Sequence, residues 1–169
     1  MKELLSAISL AIAFIGPAAM PDTIATAHAD PMPADPMQRL LALVPSDLQC
    51  RPGTNPVGGG LAEVDCDASM NGLSDLRYTL FSNQTALENY VNSQPSGGFR
   101  PCPGRGQSPV DWQSAANPQQ LKGTLTCYNY EGPVVSWSID AQLVHGFARG
   151  GSGTTIDRVY QWWAAQYHQ

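Results

Sequence analysis

Gly123-Thr124-Leu125-Thr126-Cys127-Tyr128-Asn129-Tyr130, then Glu131-Gly132-Pro133, then Val134-Val135-Ser136-Trp137-Ser138-Ile139 is the clearest hairpin in the chain. Leu125 and Cys127 alternate with Thr124, Thr126 and Tyr128, and Val135, Trp137 and Ile139 alternate with Ser136 and Ser138. A two-residue period puts each set on its own face of a sheet, and Glu131-Gly132-Pro133 supplies the turn. One face is apolar and faces a core. An antiparallel sheet with helices on that face is therefore the expected frame.

Upstream, Val110–Gln113 with Trp112 reads as a short strand, and 99–109 as a Pro- and Gly-rich loop pinned by Cys102. Leu76–Phe81 alternates Leu76, Tyr78 and Leu80 inward. Leu61–Cys66 sets Ala62, Val64 and Cys66 against Glu63 and Asp65, a strand with one wet side. Between these strands Ser82 or Asn83 caps a short helix over 84–92, with Leu87, Tyr90 and Val91 at helical spacing.

The chain ends of the domain are also helical. Asp35 caps and Pro36 opens a first helix whose Met37, Leu40, Leu41 and Val44 share a face before Pro45. Downstream of the hairpin, Leu143, Val144 and Phe147 suggest a helical turn or two, closed by Gly150-Gly151-Ser152-Gly153. Thr154 with Asp157 then fits a capping box, and Ile156, Val159, Tyr160, Trp163 and Tyr167 mark the last helix. The expected fold is α+β: about five antiparallel strands packed against N-terminal, middle and C-terminal helices.

At the N-terminus, Lys2, the apolar run Leu4–Ile15, the helix-breaking Gly16-Pro17 and the small-residue site Ala27-His28-Ala29 read as an export signal over residues 1–29. A retained membrane anchor is the alternative. Spanning a bilayer takes roughly 20 apolar residues, and Gly16, Pro17 and Pro21 interrupt this run, so no stable span is expected after cleavage. Residues 30–36 form a Pro-rich linker, and 37–169 a single exported domain of a size suited to one core. The expected location is secreted or extracytoplasmic, in the cell envelope.

The whole chain carries 9 basic and 14 acidic residues for a formal charge of −5, and Lys122 is the only lysine after the signal. A basic patch for nucleic acid or anionic lipid is absent from the pattern. Cys50, Cys66, Cys102 and Cys127 all follow the signal, and no pair is separated by only two residues, which argues against a redox dithiol or a zinc knuckle. Four cysteines allow three connectivities. Cys50 with Cys66 and Cys102 with Cys127 is favoured because each closes a short local loop.

Candidate chemical residues are few. Glu63, Asp65 and Asp67 lack the alternating pattern and central Gly of a calcium loop, so a solvated strand face is the simpler reading. Ser152 sits among glycines, loosely like a nucleophile elbow, yet Thr154 replaces the last Gly and the one downstream histidine is His168. His145 with Asp140 or Asp111 is the remaining acid/base pair, against the plainer reading of a packed histidine beside Val144 and Phe147. Trp162 and Trp163 point about 100° apart on a helix, so Trp163 is expected in the core and Trp162 at a boundary, a possible binding surface. No cofactor and no metal site is expected.

One ordered set of residues carries a family resemblance. Leu40-Leu41, Cys50, Cys66, Tyr78-Thr79-Leu80-Phe81, Leu87, Tyr90, Cys102-Pro103-Gly104, Trp112, Gly123, Cys127, Trp137 and Trp162-Trp163 run through nearly all of the exported region. In this order the chain resembles small secreted proteins of mycobacteria and relatives. It is similar as well to the disulfide-bonded extracellular region attached to actinobacterial serine/threonine kinases. The resemblance implies an extracytoplasmic sensor or binding module and brings no catalytic residues. No kinase region is present here, so any signalling role it implies is indirect. The expected function is a non-enzymatic binding or sensor-like module with an envelope ligand or protein as partner; the alternatives are a secreted hydrolase using an Asp/His145 site and a structural protein without a specific ligand.

Overall fold

A computed structural model describes residues 35–94 and 98–167. The export signal and His168 lie outside the described residues. Asp35 accepts a hydrogen bond from the Met37 N–H at 2.9 Å and so caps helix α1, Pro36–Leu43. Asp35 and Pro36 therefore cap and open this helix, as their residue types lead one to expect.

The chain then runs β1 (Cys50–Pro52), β2 (Ala62–Cys66), β3 (Leu73–Leu80), α2 (Gln84–Asn92), β4 (Pro101–Cys102), β5 (Gly106–Gln107), β6 (Val110–Gln113), β7 (Lys122–Asn129), β8 (Pro133–Ile139), β9 (Val144–Gly150) and α3 (Ile156–Tyr167). Seven strands form one antiparallel sheet in the order β1-β2-β3-β9-β8-β7-β6, and β4 and β5 pair separately within the Cys102 loop. The α+β class and the three helices stand. The expected five strands become seven by the addition of β1 and β9.

The strand β9 replaces the helical turn expected around Leu143–Phe147. It lies at the centre of the sheet, between β3 and β8. Its apolar alternation is disguised because the inward positions are Val144, Gly146 and Ala148. These residues are small because aromatic rings from both neighbours overlie them. Tyr78 and Trp137 are the register partners of Gly146, and their rings meet edge to face at 5.7 Å. A Cβ on Gly146 would stand 2.2 Å from the Trp137 indole.

Helices α1 and α3 cover this face. Leu40 from α1 is fully buried, whereas Leu41, expected beside it, is 40% exposed, since residues one apart on a helix point about 100° apart. From α3, Val159, Trp163 and Tyr167 enter the core, and Trp163 meets Trp112 edge to face at 5.2 Å. The Tyr167 hydroxyl bonds that of Tyr78 at 3.3 Å. The capping residue of α3 is Thr155, whose hydroxyl and carbonyl accept from Arg158, and not Thr154, whose hydroxyl donates to the Gly72 carbonyl.

Both expected disulfides are present. Cys50 and Cys66 are direct cross-strand partners at the β1–β2 edge, and Cys102–Cys127 ties the β4 loop to β7. Among the described residues no helix is long and apolar enough to cross a membrane.

Candidate functional site

The second face of the sheet is built from the polar members of the same alternation. Register places Glu63 opposite Thr79, Thr79 opposite His145 and His145 opposite Ser138, one continuous row across β2, β3, β9 and β8. All four are buried. The row is internally satisfied at its β2 end: the Thr79 hydroxyl donates to Glu63 Oε2 at 3.0 Å, and the Val57 N–H donates to the same oxygen at 3.2 Å. Glu63 thus holds the 57–59 turn against the sheet. Its expected place on a solvated face is corrected, because the loop folds back over it; Asp65, two residues on along the same face, is exposed.

Helix α2 lies over part of this row. Asn83 caps it by accepting from the Ala86 N–H at 2.9 Å, and Leu87 is buried beneath it. Tyr90 from the same helix stands edge to face over His145 at 4.9 Å and tilts against Phe81 at 5.2 Å. Gly58 has a φ of 58°, and a Cβ there would lie 2.1 Å from the Tyr90 ring, so the turn closes on this ring only because residue 58 is glycine.

Beside α2 the face opens into a cleft of about 340 Å³. Val57 and Tyr90 form one wall, Tyr128 and Tyr130 the other, and His145, Phe147 and Arg77 the floor, with Gln94 at the end of α2. The Tyr128 hydroxyl donates to Gln94 Oε1 at 3.1 Å, and Gln94 bonds the Tyr90 hydroxyl as well, so one amide braces both walls. Burial pushes the Tyr128 phenol up to about 12 and raises that of Tyr90, so both hydroxyls stay protonated at neutral pH.

The charges of the floor are matched in place. Burial works against the Arg77 cation, but its hydrogen bond to the Asp75 carboxylate and the nearby charges of Asp75, Glu63 and Asp65 raise its pKa overall. Arg149 reaches the same Asp75 at 3.6 Å and pairs with Glu131 at 2.8 Å. The Arg77 guanidinium lies 4.9 Å above the Phe147 ring, a cation–π contact.

His145 is 2% exposed, and burial together with the Arg77 charge lowers its pKa to about 3. Neither aspartate considered as its partner lines the cleft with it. Asp140 accepts from the Ser138 hydroxyl at 2.6 Å, and Asp111 stands on β6 at the far edge of the sheet. A neutral imidazole with so low a pKa is a feeble base at pH 7.

The other sequence candidates lie elsewhere. Trp162 is half-buried on the α3 side, 6.1 Å from Trp137, and does not line the cleft. Ser152 is exposed in the turn before α3, which a strand precedes, not the expected helix. Asp67 accepts from the Ser69 hydroxyl at 2.7 Å and its N–H at 3.0 Å, bonds that lower its pKa. Among the described residues no three or more metal-ligating side chains come together.

Of the cleft residues, sequence reasoning singled out only His145. The missing signal was the period of Val144–Gly150: as a strand it puts His145, Phe147 and Arg149 on one face, opposite the aromatic face of Gly146. No protein family, no curated protein and no solved structure matches the chain.

Proposed function

We propose that the domain is a non-enzymatic, extracytoplasmic binding or sensor-like module of the cell envelope, and that the cleft beside α2 is its ligand site. One observation carries this reading: an aromatic-walled cavity of about 340 Å³ on an otherwise polar sheet face, beside a buried polar row whose Glu63 is already met by Thr79 and the Val57 N–H. Cavities of roughly 300–1,000 Å³ with aromatic walls and a few convergent polar groups are the usual form of small-molecule sites. The two disulfides are consistent with an oxidising, extracytoplasmic location. His145 supports binding over hydrolysis, because a neutral, buried imidazole serves as a wall or hydrogen-bonding group and not as a base at neutral pH.

Saturation-transfer NMR with a set of small uncharged, anionic and cationic ring compounds tests the reading. Signals are expected with the protein and lost in Val57→Trp, which fills the cleft from its rim. Signals of equal strength in that variant, its circular dichroism matching the parent, would place the ligand site elsewhere.

A further inference from the structure

The charge pattern of the cleft selects among ligand classes, on the reading that the cleft is the binding site. Among the described residues an anion finds one cation on the lining, Arg77, and that cation is already met by Asp75, which it shares with Arg149. Arg149 is in turn held by Glu131, and the buried Glu63 lies in the adjoining row of the sheet. Carboxylates therefore offset both arginines. A cationic ligand fares no better, because the Phe147 ring that would receive it carries the Arg77 guanidinium.

What the cleft offers outside these ion pairs is uncharged. Tyr130 stands at the rim 53% exposed, and the Gln94 amide and the Tyr90 and Tyr128 hydroxyls form a rigid set of donors and acceptors. A flat aromatic face beside fixed amide and hydroxyl groups suits a ring with an apolar C–H face and an edge of hydroxyls. We propose that the cleft binds a saccharide unit, an uncharged pyranose stacked on Tyr130 with its hydroxyls toward Gln94, the half-buried Tyr90 and the buried Tyr128.

Titration calorimetry of the protein with methyl glucoside and N-acetylglucosamine, against benzoate and benzyltrimethylammonium, tests this. The expected result is binding of at least one saccharide, unchanged between about 0.05 and 0.5 M salt, about tenfold weaker in Tyr130→Ala and abolished in Val57→Trp. Tyr130 is a rim residue, so its variant keeps the test valid should Val57→Trp fold poorly. Preferential binding of either charged probe, sensitive to the same substitutions, would overturn the saccharide assignment and leave the cleft as the site. Failure of every probe, or binding indifferent to both substitutions, would overturn the saccharide and the cleft together.

Discussion

Gly146 on β9 lies directly between Tyr78 on β3 and Trp137 on β8, and the Trp137 indole occupies the space that any Cβ at 146 would need. This one contact joins the two faces of the protein. It lets large aromatics close the core over the central strand, while the alternate residues His145 and Phe147 are pushed to the other side as the floor of the cleft.

Gly146→Ala should therefore destabilise the fold by about 1–3 kcal/mol, the usual cost of overpacking. The indole is wedged among Tyr78, Trp162, Trp163 and Tyr167 and has no open side to swing into. Urea unfolding of the variant measures this directly; an unchanged midpoint would show that the aromatic layer is looser than described.

His145 makes stability depend on pH. Its imidazole titrates near 6.5 when unfolded and at about 3 when folded. The unfolded chain therefore binds the extra proton below pH 6.5, and stability falls as pH drops from there toward 3. By linkage the loss reaches about 2 kcal/mol at pH 5. His145→Gln should flatten that slope in thermal melts between pH 7.5 and 5, and an equal slope in both proteins would contradict the assignment.

The adjacent tryptophans of α3 should separate cleanly. Trp163 is fully buried and Trp162 half-buried, so Trp163→Ala should cost about 3–5 kcal/mol and Trp162→Ala clearly less. The reverse order in chemical denaturation would mean that the helix is phased differently.

Each disulfide closes a loop, of 16 and 25 residues in sequence separation. Loop-closure entropy assigns about 3 kcal/mol to each. The double variants Cys50→Ala/Cys66→Ala and Cys102→Ala/Cys127→Ala should both lower the melting temperature, which calorimetry reads; a melting temperature unaffected by either would remove the bridges from the stability account.

Gly58 tests the cleft wall. Gly58→Ala introduces a side chain at positive φ against the Tyr90 ring, and the tyrosine must move. The near-ultraviolet dichroism of the tyrosines should change and ligand signals weaken, with only a modest drop in melting temperature. Full retention of ligand signals would separate this wall from binding.

Much of the frame is legible in the residues because local rules and tertiary packing agree there. The β7–β8 hairpin alternates cleanly, Asn83 caps α2, and Ile156, Val159, Trp163 and Tyr167 keep helical spacing along α3. The central strand was hidden for a physical reason: Gly146 and Ala148 are small to admit rings from other strands, so the apolar signal of β9 sits on its neighbours. With β9 misread, Phe147 and Arg149 had no assigned face, and His145 remained a lone histidine. Glu63 reads as a solvated acid from its strand alone, and only the return of the 57–59 turn buries it. The site is assembled from β3, α2, β7, β9 and two loops, a juxtaposition that no local pattern encodes.

Mapping amide chemical-shift changes on titrating the isotope-labelled protein with methyl glucoside and N-acetylglucosamine tests the central claim most directly. The account predicts changes clustered at residues 57–60, Arg77, Tyr90, Gln94, Tyr128, Tyr130 and 145–147, with α3 silent. Changes centred on Trp162 and α3, with the cleft unmoved, would contradict it.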